Sequence, residues 1–173
     1  MSENTPVTTL EIDLGCVARN LNRVREQMNG KGVICVIKAF GYGTDDIALA
    51  KLLQKHGVEY LAVSYADEGV RLREAGVTSR ILILNPDNST FDDLVENYLE
   101  PTLLSIKHLE AYVVWAEKKG LEGSPVHINI NTGMNRLGFE VSDLLEIERI
   151  IVESDLNVAT VYSHLAGSND HCF

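Results

Sequence analysis

A chain of 173 residues, 45% hydrophobic and 23% charged, is long enough to bury one substantial core and too apolar to be disordered. Its net charge of −10 argues against non-specific nucleic-acid binding and against an anionic membrane surface, though a locally basic site for a small anion stays open. No apolar run approaches the ~20 residues that span a bilayer, and the N-terminus lacks the basic-then-apolar pattern of a signal peptide, so a cytoplasmic protein is expected. The cysteines, Cys16, Cys35 and Cys172, are odd in number and without metal-ligand spacing, which reads as reduced thiols and no metal.

Thr9–Leu14 alternates polar and apolar residues, the period of a strand with one buried face. Val17, Leu21, Val24 and Met28 then form one helical stripe, stopped by Asn29-Gly30. Residues 1–30 are thus read as an N-terminal strand and helix, and 31–173 as the main domain. Val33–Ile37 is a continuous apolar run, a strand buried on both faces. Thr44 or Asp45 caps a helix that ends at Gly57. Tyr60–Val63 is the second run, Asp67–Ala75 a helix closed by Gly76, and Ile81–Leu84 the third run. A loop over 85–89 holds Asn88-Ser89-Thr90, a glycosylation pattern read as a polar turn. Phe91–Asn97 is a short helix, and Leu99–Leu104 a strand weakened by Pro101. Ile106, Leu109, Val113 and Ala116 mark a helix ending at Gly120. Val126–Ile130 is a strand, Ser142–Glu153 a helix and Asn157–Tyr162 the sixth strand.

Alternating βα units with buried strands predict a parallel sheet with helices outside it. An open doubly wound sheet and a (β/α)₈ barrel both fit. After the sixth strand, residues 166–173 are polar and no covering helix follows. This favours the barrel: an α/β fold, a partial (β/α)₈ TIM barrel with about six of eight βα units.

Three residues far apart in sequence fall at predicted strand ends, where parallel barrels build their sites. Lys38 follows Val33–Ile37 directly, so its amine is either a partly desolvated nucleophile able to form a Schiff base or a lysine that snorkels to solvent. Arg136, within Asn131-Thr132-Gly133-Met134-Asn135-Arg136-Leu137-Gly138-Phe139, is either a carboxylate clamp or the partner of a structural acid. His164 follows the sixth strand; a single histidine is more often structural, but at a barrel mouth it can stack on a ring. Gly41-Tyr42-Gly43, with Thr44 opening a helix, permits a tight turn beside an anionic ligand. An aldehyde-reactive amine, a carboxylate clamp and a ring partner together suit amino-acid chemistry on an aldehyde cofactor.

At these residues the sequence resembles alanine racemase. Val36-Ile37-Lys38-Ala39-Phe40-Gly41-Tyr42-Gly43 looks like the cofactor-lysine signature of that family, the Arg136 segment like its second signature, and Ser163-His164-Leu165-Ala166 like a third. Glu11-Ile12-Asp13-Leu14 resembles its opening strand. The Ala39-Phe40-Gly41 variant, with Tyr65-Ala66-Asp67-Glu68-Gly69, also resembles racemase domains fused behind a muramoyl-peptide ligase.

The resemblance implies pyridoxal 5′-phosphate as cofactor, with residues 31–173 as its barrel. Lys38 would carry it and act as one of two bases. Tyr42 would contact the phosphate and His164 would lie against the ring. Val36, Leu82 and Leu84 would line the pocket, and Arg136 would orient the carboxylate of alanine. Two positions depart from the family. Asn129 stands where a lysine, commonly carbamylated, is usual, so an anion is expected between Asn129 and Arg136. Asn131 stands where an aspartate is usual. The family continues into two more barrel units and a C-terminal β domain, which bring the tyrosine base from the partner of a homodimer. The 173-residue chain by itself is therefore expected to be inactive and to self-associate through bare sheet edges. The alternatives are a non-catalytic cofactor-binding or interaction module, or another enzyme on this barrel such as an amino-acid decarboxylase.

Overall fold

The computed structural model of the chain describes residues 8–168; the polar run 169–173, with the Cys172 thiol, lies outside them. The elements, in order, are α1 (Leu14–Gln27), β1 (Ile34–Val36), α2 (Lys38–Gly43), α3 (Asp46–Lys55), β2 (Tyr60–Val63), α4 (Ala66–Glu74), β3 (Arg80–Ile83), α5 (Phe91–Glu96), β4 (Leu99–Leu103), α6 (Ile106–Lys119), β5 (Pro125–Ile130), α7 (Leu144–Glu153) and β6 (Asn157–Ser163). The six strands are all parallel and lie side by side in chain order, an open partial (β/α)₈ barrel.

One expected element is absent. Thr9–Leu14 forms no strand: Asp13 instead caps α1, its carboxylate accepting from Cys16 N–H at 3.1 Å, and Leu14 opens the helix. Alternation alone cannot make a strand; it needs a neighbouring ladder. Among the described residues none pairs with this segment, and Leu10 is 65% exposed. Smaller differences follow local chemistry. Asp45, not Thr44, caps α3 through Ala48 N–H at 2.9 Å. A 3₁₀ turn, Val141–Asp143, precedes α7. Pro101 sits where the ladder to β3 closes and the ladder to β5 opens at Thr102, a place that tolerates a missing donor.

Strand alternation divides the side chains into two sets. Leu61, Val63, Ile81, Ile83, Leu99, Leu103, Val126 and Ile128 face outward under the helices and form the core. The other face turns into the barrel and starts with a polar layer. Glu100 accepts from Arg80 Nε at 2.6 Å and Arg80 Nη2 at 3.0 Å, and from Tyr60 OH at 3.1 Å. His127 Nε2 lies 3.0 Å from the same carboxylate, and its Nδ1 lies 2.7 Å from Thr160 Oγ1. All five strands from β2 to β6 meet there. One step further along each strand, Ala62, Leu82, Thr102, Asn129 and Tyr162 form the next layer, with Tyr162 OH and Thr102 Oγ1 3.0 Å apart.

Candidate active site

Above that second layer the C-terminal strand ends surround a cavity of about 600 Å³, within the range of small-molecule sites. Its walls include Val36, Leu82 and Leu84, with the half-buried Lys38 on one side. Tyr42, Asn129, Arg136 and His164 complete the rim. Val36, Lys38, Tyr42, Leu82, Leu84, Asn129, Arg136 and His164 therefore border one space, although β1 and β6 stand at opposite edges of the sheet, while Gly41, Gly43 and Thr44 of the turn do not line it. The donor set suits a planar anionic aldehyde: apolar wall residues, one amine, tyrosine phenols, an imidazole, a guanidinium and the hydroxyls of Ser64 and Ser163.

Lys38 owes its place to a turn of the wrong hand. Ala39, Phe40, Gly41 and Tyr42 have φ of 52°, 55°, 64° and 58°, so α2 winds left-handed. For non-glycine residues this costs about 1–2 kcal/mol each, so the turn needs external support. Gly41 is required: a Cβ there would sit 2.7 Å from Leu49 Cδ1 and 2.8 Å from Thr44 Oγ1. Thr44 Oγ1 donates to Gly41 O at 2.6 Å, and Gly41 N–H donates to Ile37 O at 3.0 Å.

The Arg136 segment is closed at its base. Asn131 N–H donates to Phe139 O at 2.7 Å and Phe139 N–H to Asn129 O at 2.8 Å, while the Phe139 ring is buried in the core. Asn131 fills the loop. Its Oδ1 accepts from Gly133 N–H at 3.2 Å and Asn135 N–H at 3.0 Å. Its Nδ2 donates to Asn135 Oδ1 at 3.0 Å and to Glu140 Oε1 at 2.7 Å. A carboxylate at 131 would face the Glu140 carboxylate without a proton to share, which gives a physical reason for asparagine here. Arg136 is thereby presented, exposed, across the rim from Lys38.

Residues 12–172 match the family model described as the alanine racemase N-terminal domain. The chain belongs to this family. It is 33% identical to an alanine racemase of Fusobacterium nucleatum over 162 residues, 94% of this chain and 45% of that protein. It is 34% identical to an amino-acid racemase of Enterococcus faecalis, covering 92% of this chain and 22% of that one. An alanine racemase structure from Clostridium difficile 630 superimposes with a TM-score of 0.85 at 32% identity, covering 94% of this chain and 45% of that one. The chain thus spans less than half the length of these racemases.

Sequence reasoning missed three groups in this racemase-family barrel. Glu68 braces the lysine turn, and its signal was a glutamate three residues after the N-cap position of α4, the spacing of a capping box. Asn131 was read only as a lost acid and not as the centre of its loop. The polar floor was hidden because Val126–Ile130 was read as an apolar run, although Val-His-Ile-Asn-Ile alternates strictly, with His127 and Asn129 turned inward.

Proposed function

We propose that this chain is the lysine-bearing barrel portion of a pyridoxal-phosphate-dependent alanine racemase, an isomerase that interconverts L- and D-alanine for peptidoglycan supply in the cytoplasm. One observation carries the reading: Lys38, Arg136 and His164 share one cavity at the strand ends, although Arg136 and His164 lie 98 and 126 positions beyond Lys38 in sequence. When bound, pyridoxal phosphate supplies an electrophilic aldehyde and an electron sink that acidifies the α-hydrogen of an amino acid.

The chain's own residues supply the rest. Lys38 Nζ would be the amine that holds the aldehyde, and it would serve as one of the two bases for the α-proton. Tyr42 would hold the phosphate and His164 would sit beside the ring, with Val36, Leu82 and Leu84 lining the pocket. Arg136 would orient the substrate carboxylate, and Asn129 and Arg136 would together hold a small anion such as chloride in place of a carbamate. In the family the second base comes from a part that this chain does not span, and it would be supplied by the partner of a homodimer. On this reading the 173-residue polypeptide by itself is expected to show no useful turnover, since the family's second base lies outside the segment it spans.

Incubation of the chain with pyridoxal phosphate, followed by borohydride reduction and peptide mapping, tests the attachment. A pyridoxyl group on Lys38, absent in Lys38→Ala, is expected; no label on Lys38 removes the reading. In the longer protein, exchange of the alanine α-hydrogen without release of carbon dioxide separates racemase from decarboxylase.

A further inference from the structure

We infer that Glu68 is a positioning residue for Lys38, acting from α4 on the left-handed turn. The inference rests on the reading of Lys38 given above. Glu68 Oε1 accepts from Ala39 N–H at 2.6 Å. Its Oε2 accepts from Ser64 N–H at 2.6 Å and Tyr65 N–H at 3.1 Å. One carboxylate therefore ties the residue after Lys38 to the two residues that follow β2. Ala39 N–H belongs to the peptide plane that begins at the Lys38 carbonyl. Fixing that plane fixes the backbone torsion at Lys38 and the direction in which its side chain leaves the chain.

The brace is itself rigid. Gly69 lets α4 approach the sheet so closely that a Cβ there would meet the Leu99 methyl carbons at 2.9 Å and Ile83 Cδ1 at 3.0 Å. One helical turn on, the Arg71 guanidinium lies 4.2 Å from the Phe40 ring centroid and pairs with the buried Asp46 carboxylate. Helix α4 thus holds the turn at two successive residues, Ala39 by a charged hydrogen bond and Phe40 by a cation–π contact. Without these contacts, Ala39 and Phe40 favour right-handed backbone, and the amine of Lys38 samples directions away from the cavity.

The test is the rate at which Lys38 reacts with pyridoxal phosphate in the full chain. The amine nitrogen bonds the aldehyde carbon, and the carbonyl oxygen departs as water with the two amine hydrogens. Borohydride then adds hydride to the carbon–nitrogen double bond and freezes the adduct for mapping. In Glu68→Gln the side chain keeps its shape, but an NH₂ group must face at least one backbone N–H. The expected result is a tenfold or greater fall in Lys38 labelling, with labelling of the exposed Lys51 unchanged in the same sample. Asp67→Asn, the same change of charge on the preceding residue, keeps the wild-type ratio. A merely structural defect would alter both lysines together. Should Glu68→Gln fail to fold, Arg71→Lys keeps a cation for Asp46 and loses the planar contact with Phe40, and a severalfold fall in the Lys38-to-Lys51 ratio is expected. Amide exchange at Ala39 without cofactor gives a second readout: at least tenfold faster exchange in Glu68→Gln, with Leu61 unchanged. If wild-type Lys38 takes no label, the functional reading fails while the exchange experiment still reports on the brace. Lys38 labelling and Ala39 exchange within twofold of wild type in a folded Glu68→Gln overturn the inference.

Discussion

Glu100 shows how the barrel interior tolerates a charge. The residue is 6% exposed, and burial alone pushes its carboxyl up. The hydrogen bonds of His127 and Arg80, together with their charges, outweigh that and hold it below the ordinary carboxylate range. A carboxyl lowered in the folded state stabilises the fold at pH values above its unfolded pKa, and that contribution disappears as pH falls through the folded value. Tyr60 behaves oppositely: burial and the Glu100 charge push its phenol up to about 12. Tyr112, on the buried face of α6, is also pushed up to about 12 by burial. The unfolded chain therefore loses these phenolic protons first, and stability falls as pH rises from about 10 towards 12. Glu100→Gln is expected to cost roughly 3 kcal/mol at neutral pH, the low end for breaking a buried pair because the Arg80 side chain is 42% exposed. Urea midpoints across pH check both limbs: the variant should lose part of the acid-side slope below about pH 4 and the part of the alkaline fall that Glu100 gives Tyr60, while keeping the part that comes from burial of Tyr60 and Tyr112.

At the scale of elements, short polar segments between the strands carry the site. The Arg136 loop closes only because Gly138, at φ 112°, passes against its own strand: a Cβ there would lie 2.8 Å from Asn129 O and 2.9 Å from Asn131 N. Gly138→Ala is expected to cost about 2 kcal/mol or more and to displace Arg136 from the rim. Thermal melts read the first effect. Loss of protection at Phe139 N–H in hydrogen exchange reads the second, since that proton bridges the loop base at 2.8 Å. An unchanged melting temperature with Phe139 still protected would falsify the geometric argument. Arg73 supports the opposite end of the sheet, donating to the carbonyls of Asn97, Val77, Ser79 and Tyr98, which ties the loops before β3 and β4 together.

At the scale of the molecule, among the described residues β1 and β6 each pair on one side only. Ile34 and Val36 on β1 are each 40% exposed, and Val161 on β6 is 63% exposed. Unpaired ladder groups beside apolar side chains favour association with another strand. Sedimentation velocity of the 173-residue chain is expected to show concentration-dependent association, whereas a single monomeric boundary at high concentration would count against it. Among the described residues no helix is long and apolar enough to cross a membrane.

The sequence by itself determined the six strands, their parallel order and the strand-end residues, because those rest on local signals: apolar runs, glycine stops, capping residues and side chains immediately after a strand. The family signatures at Lys38, Arg136 and His164 were legible for the same reason. Only the tertiary structure decided that 9–13 stays out of any strand, since a ladder requires a neighbour that pattern cannot announce. It also decided the left hand of the Lys38 turn and the brace from Glu68, because a three-donor carboxylate depends on bringing β1, β2 and α4 together. The polar floor was likewise a matter of assembly: Tyr60, Arg80, Glu100, His127 and Thr160 satisfy one another only once five strands curve to face the same interior.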